Sequence, residues 1–300
     1  MAREILKEDI PKVKVLLSRV FGSEDYTDIS RMGGLTNHTY KITRADGEYV
    51  VRIPGEGTEE MIVRSDEKKS TNLACELGID AELLYFGDDG SKVTRYIANA
   101  ITMSSDLLKQ DKYINQVAEI FKKLHSCGVD TGVPFEVFDM AAGYEKIIFD
   151  NNVSMFDDYD IKKAEVMQIK SEIDTKLDIK KVPCHNDSLC ENWVEGDGKM
   201  HLIDWEYAGM NDGMWDVADV SIEALYDAEC DTKLLTAYLG RTPDTMDKKH
   251  FLANKIYVDY LWTLWAKARI PFDLEPQAME DWAQERYARL KGFIEEYKSL

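Results

Sequence analysis

The alternation of hydrophobic and polar residues predicts two strand pairs in the first part of the chain of 300 residues. Residues 39–43 and 48–53 alternate with the period of a strand, and residues 83–86 and 92–97 form a second pair. An Asp-Gly dipeptide lies between the strands of each pair, and it is typical of a tight hairpin turn. The first part of the chain therefore predicts an antiparallel sheet.

Helical periodicity dominates the remainder, and one helix is also predicted between the two strand pairs. That helix is predicted over residues 58–77, with its first residue, a threonine, as N-cap and Gly78 as the residue that ends it. Residues 111–125 place hydrophobic side chains at helical spacing, residues 144–177 predict one or two helices, and helices resume after Trp215.

These elements predict an α+β fold with two lobes. An N-terminal lobe of residues 1–97 contains the antiparallel sheet and one helix, and a larger, mainly helical C-terminal lobe comprises residues 98–300. Two lobes suit the length, because one hydrophobic core rarely extends over 300 residues. A cleft between two lobes is a common position for a small-molecule site.

The net charge is −19, from 37 basic and 56 acidic residues. Such a surface repels nucleic acids and anionic membranes and attracts cationic substrates, although the same charge also serves solubility alone. Residues 1–21 lack the hydrophobic region of a signal peptide, and the hydrophobic segment 257–266 is interrupted by Asp259 and is too short to span a bilayer. We therefore expect a cytoplasmic protein with a small-molecule partner, without nucleic-acid binding or membrane insertion; the oligomeric state stays open.

The five cysteines include no Cys-x-x-Cys pair, which predicts free thiols in a reducing compartment. Two cysteines and two histidines nevertheless lie close in sequence and raise the alternative of a zinc site. Their spacing fits no common zinc module, so the sequence disfavours this alternative. The four residues are Cys184, His185, Cys190 and His201.

One segment of the second part has the spacing of groups that phosphoryl transfer from ATP requires. Asp187 and Asn192 are five positions apart, and Asp204 follows twelve positions later, after residues 193–203, which predict a hairpin with a Gly-Asp-Gly turn. In kinases, such an Asp accepts the proton of the acceptor hydroxyl, while the Asn and the second Asp hold Mg²⁺ on the phosphates. The sequence predicts these roles here, although an Asp and an Asn at this spacing also occur in acidic loops.

The motif His-Asn-Asp-x₄-Asn, followed by Leu-Ile-Asp-Trp-Glu, resembles that of the choline/ethanolamine kinases and, more loosely, that of the aminoglycoside phosphotransferases. The resemblance covers nearly the whole chain and implies a bilobal protein-kinase-like fold. It implies that residues 1–97 form the nucleotide-binding lobe and that residues 98–300 form the catalytic and substrate-binding lobe. It also implies ATP and Mg²⁺ as cofactors.

In the first lobe, the resemblance implies a nucleotide site made of three parts. Residues 33–37 are similar to the family's phosphate-facing turn, Arg52 to its phosphate-contacting basic residue, and Glu67 to the helix residue that pairs with it. The adenine is expected against residues 94–97. An ordinary hairpin turn and a solvated ion pair are the alternative interpretations. The implied nucleotide-binding residues are Gly33, Gly34, Leu35, Thr36, Asn37, Arg52, Glu67, Thr94, Tyr96 and Ile97.

Three other residues are interpreted as structural. His185 is expected to brace the backbone of the loop, and Asp216 resembles the family residue that anchors this loop through backbone N–H groups. His125 ends a predicted helix and is expected to be a hydrogen-bonded histidine of the core or of the helix terminus.

The second lobe offers aromatic residues for a quaternary ammonium group, which has no N–H to donate and is bound by aromatic faces. Trp262 and Trp265 lie three apart and resemble the Trp-x-Leu-Trp of choline kinases, and Trp282 resembles a cage position that is usually Tyr. Tyr207 matches the family's Ile-Asp-x-Glu-Tyr, and Glu223 resembles an acidic residue that balances the ammonium charge. Aromatic residues at helical spacing are also typical of a core, so that alternative stays open.

The predicted reaction is the ATP- and Mg²⁺-dependent phosphorylation of the choline hydroxyl, with Asp187 as the catalytic, substrate-contacting residue. Kinases for ethanolamine, thiamine or an aminoglycoside are alternatives within the same fold. A pseudokinase that binds nucleotide or choline without turnover is the alternative outside catalysis. It is disfavoured because all three polar catalytic positions are present.

Overall fold

The computed structural model forms two compact units. The residues that it describes are 4–33, 37–55 and 62–300. The first unit contains the chain up to Met103 together with Glu191–Ala208, and the second contains Ser104–Cys190 and Gly209–Leu300. The predicted single boundary after residue 97 differs from this division, because a hairpin late in the sequence belongs to the first unit.

An antiparallel sheet of five strands forms the main part of the first unit, in the order β1-β2-β3-β5-β4. The strands of the described residues are β1 (Asp28–Arg31), β2 (Asn37–Arg44), β3 (Gly47–Pro54), β4 (Leu83–Phe86), β5 (Lys92–Arg95), β6 (Ile101–Thr102), β7 (Lys181–Cys184), β8 (Trp193–Gly196), β9 (Lys199–Leu202) and β10 (Gly209–Asp212). Because β2 pairs with β3 and β4 with β5, both predicted hairpins are confirmed.

The first helix packs on this sheet, and most of the other helices belong to the second unit. The helices of the described residues are α1 (Ile10–Phe21), α2 (Arg64–Glu76), α3 (Ser105–Leu108), α4 (Asp111–His125), α5 (Val137–Asp150), α6 (Tyr159–Lys176), α7 (Gly213–Glu223), α8 (Ala228–Leu239), α9 (Thr245–Arg269) and α10 (Pro276–Ser299). The α1 residues Val13 and Leu17 are fully buried in one cluster with Tyr40 and Val51 of the sheet. Removal of these side chains from water stabilises the first unit.

The helix predicted between the two hairpins is shorter than expected. It begins at Arg64, after Val63 in an extended conformation, so the predicted continuous helix from Thr58 is wrong; Thr58 itself lies outside the described residues. The predicted end is confirmed, because Gly78 follows α2 with a φ of 65°. Glycine adopts this left-handed conformation without steric strain, which ends the helix.

The hairpin of β8 and β9 explains the division of the chain. Trp193 pairs with Leu202, as the hairpin predicted over residues 193–203 requires, and β8 also pairs with β6. A Cβ at Gly196 would lie 2.8 Å from the carbonyl oxygen of Ala98, so this position of the hairpin requires glycine. The hairpin is thus part of the first unit although it lies far along the chain.

The second unit is mainly helical and is built around α9. This helix is buried on nearly every side between Phe251 and Ala268, and it packs against α5, α7 and α10. The bounds predicted for α4 are confirmed, and the region 144–177 contains all of α6 and the second half of α5, which begins earlier, at Val137. β7 and β10 form a two-stranded sheet. None of the helices in the described residues is long and apolar enough to cross a membrane.

Candidate active site

The loop that follows β7 carries Asp187 and lies in the second unit. The Asp216 carboxylate of α7 accepts hydrogen bonds from the backbone N–H groups of His185 and Asn186, each with an N···O distance of 2.8 Å. Asn186 has a φ of 68°, a conformation that is uncommon for residues other than glycine and that these bonds support. The anchoring role predicted for Asp216 is therefore confirmed.

The same face of α7 supports the loop at a second point. Asp216, Asp219 and Glu223 follow one another at intervals of three and four residues, which places them on one side of the helix. Asp219 accepts a hydrogen bond from the backbone N–H of Ser188. Burial, and then the carboxylates of Glu223 and Asp187, raise the pKa of Asp219 well above its ordinary value. One helix therefore connects the loop to a further carboxylate, Glu223.

Two histidines support the loop: the bracing role predicted for His185 and the hydrogen-bonded state predicted for His125 are both confirmed. The ring nitrogens of His125 lie 2.9 Å from the Tyr238 hydroxyl and 3.0 Å from the Asp216 carboxylate. His185 is fully buried, and its Nδ1 accepts the backbone N–H of Asp187 at 3.3 Å. The side chain of Asp187 is half-buried, and its catalytic role stays a prediction.

In the first unit, Arg52 of β3 and Glu67 of α2 form the predicted ion pair, with 2.5 Å between Nη2 and Oε1. The alternative of a solvated surface pair is wrong, because Arg52 is 5% exposed and Glu67 is 1% exposed. Arg52 also donates a hydrogen bond to the Gly90 carbonyl at 2.9 Å. Because a buried charge that loses its partner is strongly destabilising, this pair fixes the arginine side chain.

Three residues that the sequence did not single out complete the charged cluster. Arg64 Nη1 lies 2.7 Å from Glu67 and 2.7 Å from Glu206, and Lys92 Nζ lies 3.9 Å from Glu67. A signal for two of these three residues was present in the sequence. Arg64 precedes Glu67 by three helical positions, and Glu206 follows Asp204 by two positions in the same motif.

The hairpin of β8 and β9 places Asp204 next to Asn192 in the first unit. The backbone N–H of Ile203 donates to the carbonyl oxygen of Asn192 at 2.9 Å. Asp204 has a φ of 70°, and its side chain is 43% exposed. Desolvation by the surrounding protein, and then the Glu206 carboxylate, raise the pKa of Asp204 to about 6. Arg52, at 3.6 Å, acts in the opposite direction. The predicted return of the chain to Asn192 is confirmed.

Three carboxylates of the first unit lie close enough to share one cation. Oxygens of Glu67, Asp204 and Glu206 lie within 4.8 Å of one another, and hard oxygen donors are the ligands that Mg²⁺ prefers. Burial raises the pKa of Glu206, but Arg52 and Arg64 outweigh it and lower this pKa below its ordinary value. The side chains of Glu67 and Glu206 are almost fully buried and paired with arginines. Of the three carboxylates, the exposed Asp204 is therefore the one best suited to be a metal ligand.

The predicted phosphate-facing turn is described only at its two ends. Gly33 and Asn37 are described, and Asn37 Nδ2 donates to Oε1 of Glu206 at 2.9 Å. The remaining predicted residues of the turn, Gly34, Leu35 and Thr36, lie outside the described residues. Asn37, the last residue of the predicted turn, is the first residue of β2 and contacts the charged cluster.

The segment predicted to contact adenine borders the five-stranded sheet. Thr94 lies within β5, and the backbone N–H of Tyr96 extends the pairing with β3 through a bond of 3.0 Å. The Lys41 ammonium lies 3.9 Å from the centroid of the Tyr96 ring. Ile97 is buried in a cluster with Val194 of β8. The role of these residues toward a nucleotide stays a prediction.

In the second unit, three tryptophan rings form one contiguous group, which we call the tryptophan group: Trp262, Trp265 and Trp282. Ring centroids are 6.1 Å apart for Trp262 and Trp265 and 5.7 Å apart for Trp265 and Trp282, both in edge-to-face geometry. Trp262 is 5% exposed, and the other two are half-buried. The prediction that Trp262 and Trp265 project to the same side of α9 is confirmed, whereas their role in binding stays a prediction.

The other two residues predicted to contact the ammonium differ in their surroundings. Glu223 pairs with Arg286 of α10, and the guanidinium carbon of this arginine lies 4.2 Å from the centroid of the Trp282 ring. Tyr207 is half-buried and belongs to the first unit, whereas Glu223 and the tryptophan group belong to the second. Glu223 therefore already has a cationic partner within the protein, which the sequence did not indicate.

Comparison with known proteins decides the family. A family model described as choline/ethanolamine kinase matches residues 29–286. This chain belongs to the choline/ethanolamine kinase family. As a choline/ethanolamine kinase family member it is a small-molecule kinase, and the predicted kinase-like α+β fold is confirmed.

Solved structures and a curated relative match most of the chain. A family protein from Mesorhizobium loti is 32% identical, covers 95% of this chain and 94% of its own, and has a TM-score of 0.84. Choline kinase LicA from Streptococcus pneumoniae is 27% identical, with 97% and 100% covered and a TM-score of 0.80; LicA in complex with AMP is also 27% identical, with 96% and 98% covered and a TM-score of 0.76. Protein LicA from Haemophilus influenzae is 29% identical over 80% of this chain and 73% of its own length.

Proposed function

We propose that this chain transfers the γ-phosphoryl group of ATP to the hydroxyl of choline in a reaction that needs Mg²⁺. The observation that carries the choice of substrate is the contiguous tryptophan group of the second unit. A quaternary ammonium has no N–H to donate, so aromatic faces bind it better than hydrogen-bond acceptors do. The similarity to the choline kinase LicA supports the same choice.

On the acceptor side, Asp187 accepts the proton of the choline hydroxyl as the hydroxyl oxygen attacks the γ-phosphorus. The bonds from His185 and Asn186 to Asp216 support this role, because they hold the backbone next to Asp187 in one conformation. Catalytic bases need such rigid support, since a small misplacement from the proton is costly for the rate.

On the nucleotide side, Arg52 contacts the phosphates, Glu67 positions Arg52, and the turn at residues 33–37 approaches the phosphate oxygens. Thr94, Tyr96 and Ile97 border the adenine. The contacts of Arg52 with Glu67 and Gly90 support this assignment, because they keep its guanidinium in place.

Asn192 and Asp204 are the proposed ligands of Mg²⁺, which when bound neutralises negative charge on the phosphates. The charge of the surrounding cluster supports the need for a cation. Its basic side chains are Arg52, Arg64 and Lys92, and its acidic ones are Glu67, Asp204 and Glu206. Because these charges balance, the cluster alone cannot compensate a triphosphate on a chain with a net charge of −19.

The substrate ammonium is bound by the tryptophan group, with Glu223 and Tyr207 as further contacts in the proposal. The edge-to-face packing of Trp265 with its two neighbours supports this assignment, because it holds the ring faces in fixed orientations. Trp265 and Trp282 are half-buried, so part of each ring is accessible to a ligand.

A substrate panel tests the proposal. The purified chain is assayed for ADP formation with ATP and Mg²⁺ and with choline, ethanolamine, thiamine or an aminoglycoside as acceptor. We expect the highest kcat/KM for choline and no turnover when EDTA removes the metal. A higher kcat/KM for ethanolamine would contradict the substrate but not the kinase reaction. Nucleotide binding without turnover of any acceptor would identify a pseudokinase instead.

Ethanolamine is the second candidate, and the observation that favours it is the Glu223 carboxylate. A primary ammonium donates hydrogen bonds, so it gains more from a carboxylate than choline does. However, Glu223 pairs with Arg286, which lowers its value as an acceptor for a substrate. The panel decides between the two acceptors directly.

A further inference from the structure

Arg286 of α10 lies at the centre of a buried ion network next to the tryptophan group. Its Nη2 pairs with Glu223 of α7, and its Nη1 lies 3.1 Å from the Asp259 carboxylate of α9. Its guanidinium carbon lies 4.2 Å from the centroid of the Trp282 ring, within the range of a cation–π interaction. Through its contacts with Glu223, Asp259 and Trp282, this one side chain links α7, α9 and α10.

The network holds Arg286 in place. Arg286 is 3% exposed, and Asp259 is fully buried. Arg289 also pairs with Asp259, at 2.6 Å and 2.7 Å. In the part of the chain that the structure describes, Glu223 forms its ion pair with Arg286 alone. Because displacement of Arg286 would leave a largely buried carboxylate without its partner, the arginine is a fixed part of the site and not a gate that a substrate pushes aside.

Arg286 also determines what a substrate cation can meet. It neutralises the Glu223 carboxylate, so this acid cannot act as an isolated negative charge. Its guanidinium lies over the Trp282 ring, and Trp282 in turn packs edge-to-face on Trp265. The orientation of the Trp282 ring therefore depends on the Arg286 guanidinium.

We infer that Arg286 is a positioning residue for the substrate ammonium: it fixes the ring of Trp282 and the carboxylate of Glu223 in the geometry that the cation meets. The inference rests on the proposed function, because it requires that the tryptophan group binds the substrate. It assigns no contact between Arg286 and the substrate. Loss of this arginine therefore weakens binding of the acceptor and spares binding of the nucleotide.

Steady-state kinetics of three variants test the inference, with choline and ATP varied in turn and melting temperatures measured alongside. Arg286→Met should raise the KM for choline by about ten-fold or more and the KM for ATP by less than about two-fold. Arg286→Lys should recover part of this loss, because it keeps the charge but not the planar fork that bridges two carboxylates and stacks on an indole. Arg289→Met is the matched control, since Arg289 shares Asp259 with Arg286, and it should change the KM for choline by less than about three-fold.

A double variant tests whether Arg286 acts through the indole. In a Trp282→Leu background, Arg286→Met should raise the KM for choline by a smaller factor than it does alone, because part of what it positions is already absent. Equal factors in both backgrounds would show that the two residues act independently and would overturn the inference.

Two other results would also overturn it: parallel rises in the KM for choline and for ATP, or an effect of Arg286→Met no larger than that of Arg289→Met. If Arg286→Met does not fold, Arg286→Lys decides, with a rise of about three-fold expected for the KM of choline alone. Wild-type protein without turnover of choline and ethanolamine would instead contradict the proposed function. If the wild type prefers ethanolamine, the same measurements apply to that acceptor.

Discussion

Arg52 in the first unit and Arg286 in the second have similar partners and different surroundings. Each arginine is at most 5% exposed, and each is held between carboxylates from other elements of its unit. Around Arg52, the Asp204 carboxylate keeps 43% of its side chain exposed. Around Arg286, both carboxylates are largely buried, and the half-buried neighbour is the indole of Trp282.

This difference shows how one type of ion network can serve two kinds of ligand. In both units the arginine and the basic side chains next to it pair with the buried carboxylates, so the accessible groups decide what binds. Near Arg52 the accessible group is an oxygen donor, which suits a metal ion on phosphates. Near Arg286 it is an aromatic ring, which suits a quaternary ammonium. Variants in each region separate the two regions from each other and from the chemical step.

The largest expected effect leaves both regions intact. Asp187→Asn should lower kcat by about a thousand-fold, because the amide cannot accept the hydroxyl proton, while choline and ATP still bind. Rate measurements under saturating conditions, together with calorimetric titration of both ligands, check this. Asp157→Asn, an exposed residue of the same unit, serves as control. Unchanged turnover in Asp187→Asn would eliminate the role assigned to this carboxylate.

Removal of Arg52 should impair nucleotide binding in the first unit and spare binding of choline. Arg52→Met leaves the buried Glu67 with Arg64 and Lys92 as partners, so we expect a loss of about 3 kcal/mol in the free energy of unfolding. The KM for ATP should rise by about ten-fold or more, and the KM for choline by less than about two-fold. Urea denaturation and kinetics measure the two effects. A larger rise in the KM for choline than in the KM for ATP would contradict the assignment of Arg52 to nucleotide binding.

The second region is tested at its central ring. Trp265→Leu removes the indole that packs against both other tryptophans, and we expect the KM for choline to rise by about five- to thirty-fold from lost cation–π and packing energy. The KM for ATP should change by less than about two-fold. Trp265→Phe is the matched variant, which keeps an aromatic face and should lose less. Equal values for the leucine and phenylalanine variants would contradict an aromatic contact.

A smaller effect is expected at the turn that supports Arg52. Gly90 has a φ of 85°, and a Cβ there would lie 2.9 Å from the guanidinium carbon of Arg64. Gly90→Ala should therefore cost about 1–2 kcal/mol of stability and raise the KM for ATP by a few-fold, because it strains the turn and displaces Arg64. Thermal unfolding and ATP kinetics check this. Gly128→Ala has a similar φ of 72° but open space around it, so it separates backbone strain from displacement of the arginine.

The smallest effect concerns the helix that supports the loop of the second unit. Asp212 caps α7 through the backbone N–H of Met214 at 2.9 Å and contacts His250. Burial raises the pKa of Asp212, but the contact with His250 and the hydrogen bonds from Met214 and Asn254 together lower this pKa below its ordinary value of 3.8. A lowered pKa stabilises the fold above the ordinary value, and this stabilisation is lost as the pH falls through the lowered pKa.

The difference in the free energy of unfolding between wild type and Asp212→Asn should therefore be larger at about pH 5 than at about pH 3. Denaturant titrations at the two pH values measure it. Asp160→Asn, which replaces an exposed acid in the first turn of α6, should show no such change. A difference for Asp212→Asn that grows toward acid would contradict the sign.

Patterns within a few residues of one another carried most of the fold and part of the site. The strand pairs around the Asp-Gly turns, the bounds of α4, the end of α2 at Gly78 and the hairpin before Asp204 all follow from local spacing and turn chemistry. The pairing of Arg52 with Glu67 was also predictable, because the family motif specifies both positions.

For the buried charges outside the pair of Arg52 and Glu67, only the tertiary structure decided which partners meet. Arg64 with Glu206 and Arg286 with Glu223 join residues 142 and 63 positions apart, and no local period marks such partners. The return of residues 191–208 to the first unit likewise depends on pairing between distant strands. The sequence alone determined most of the strands and helices and the polar motif, because these depend on neighbours along the chain. The ion networks depend on how those elements pack, because a buried charge needs a partner that is close in space, wherever that partner lies in the sequence.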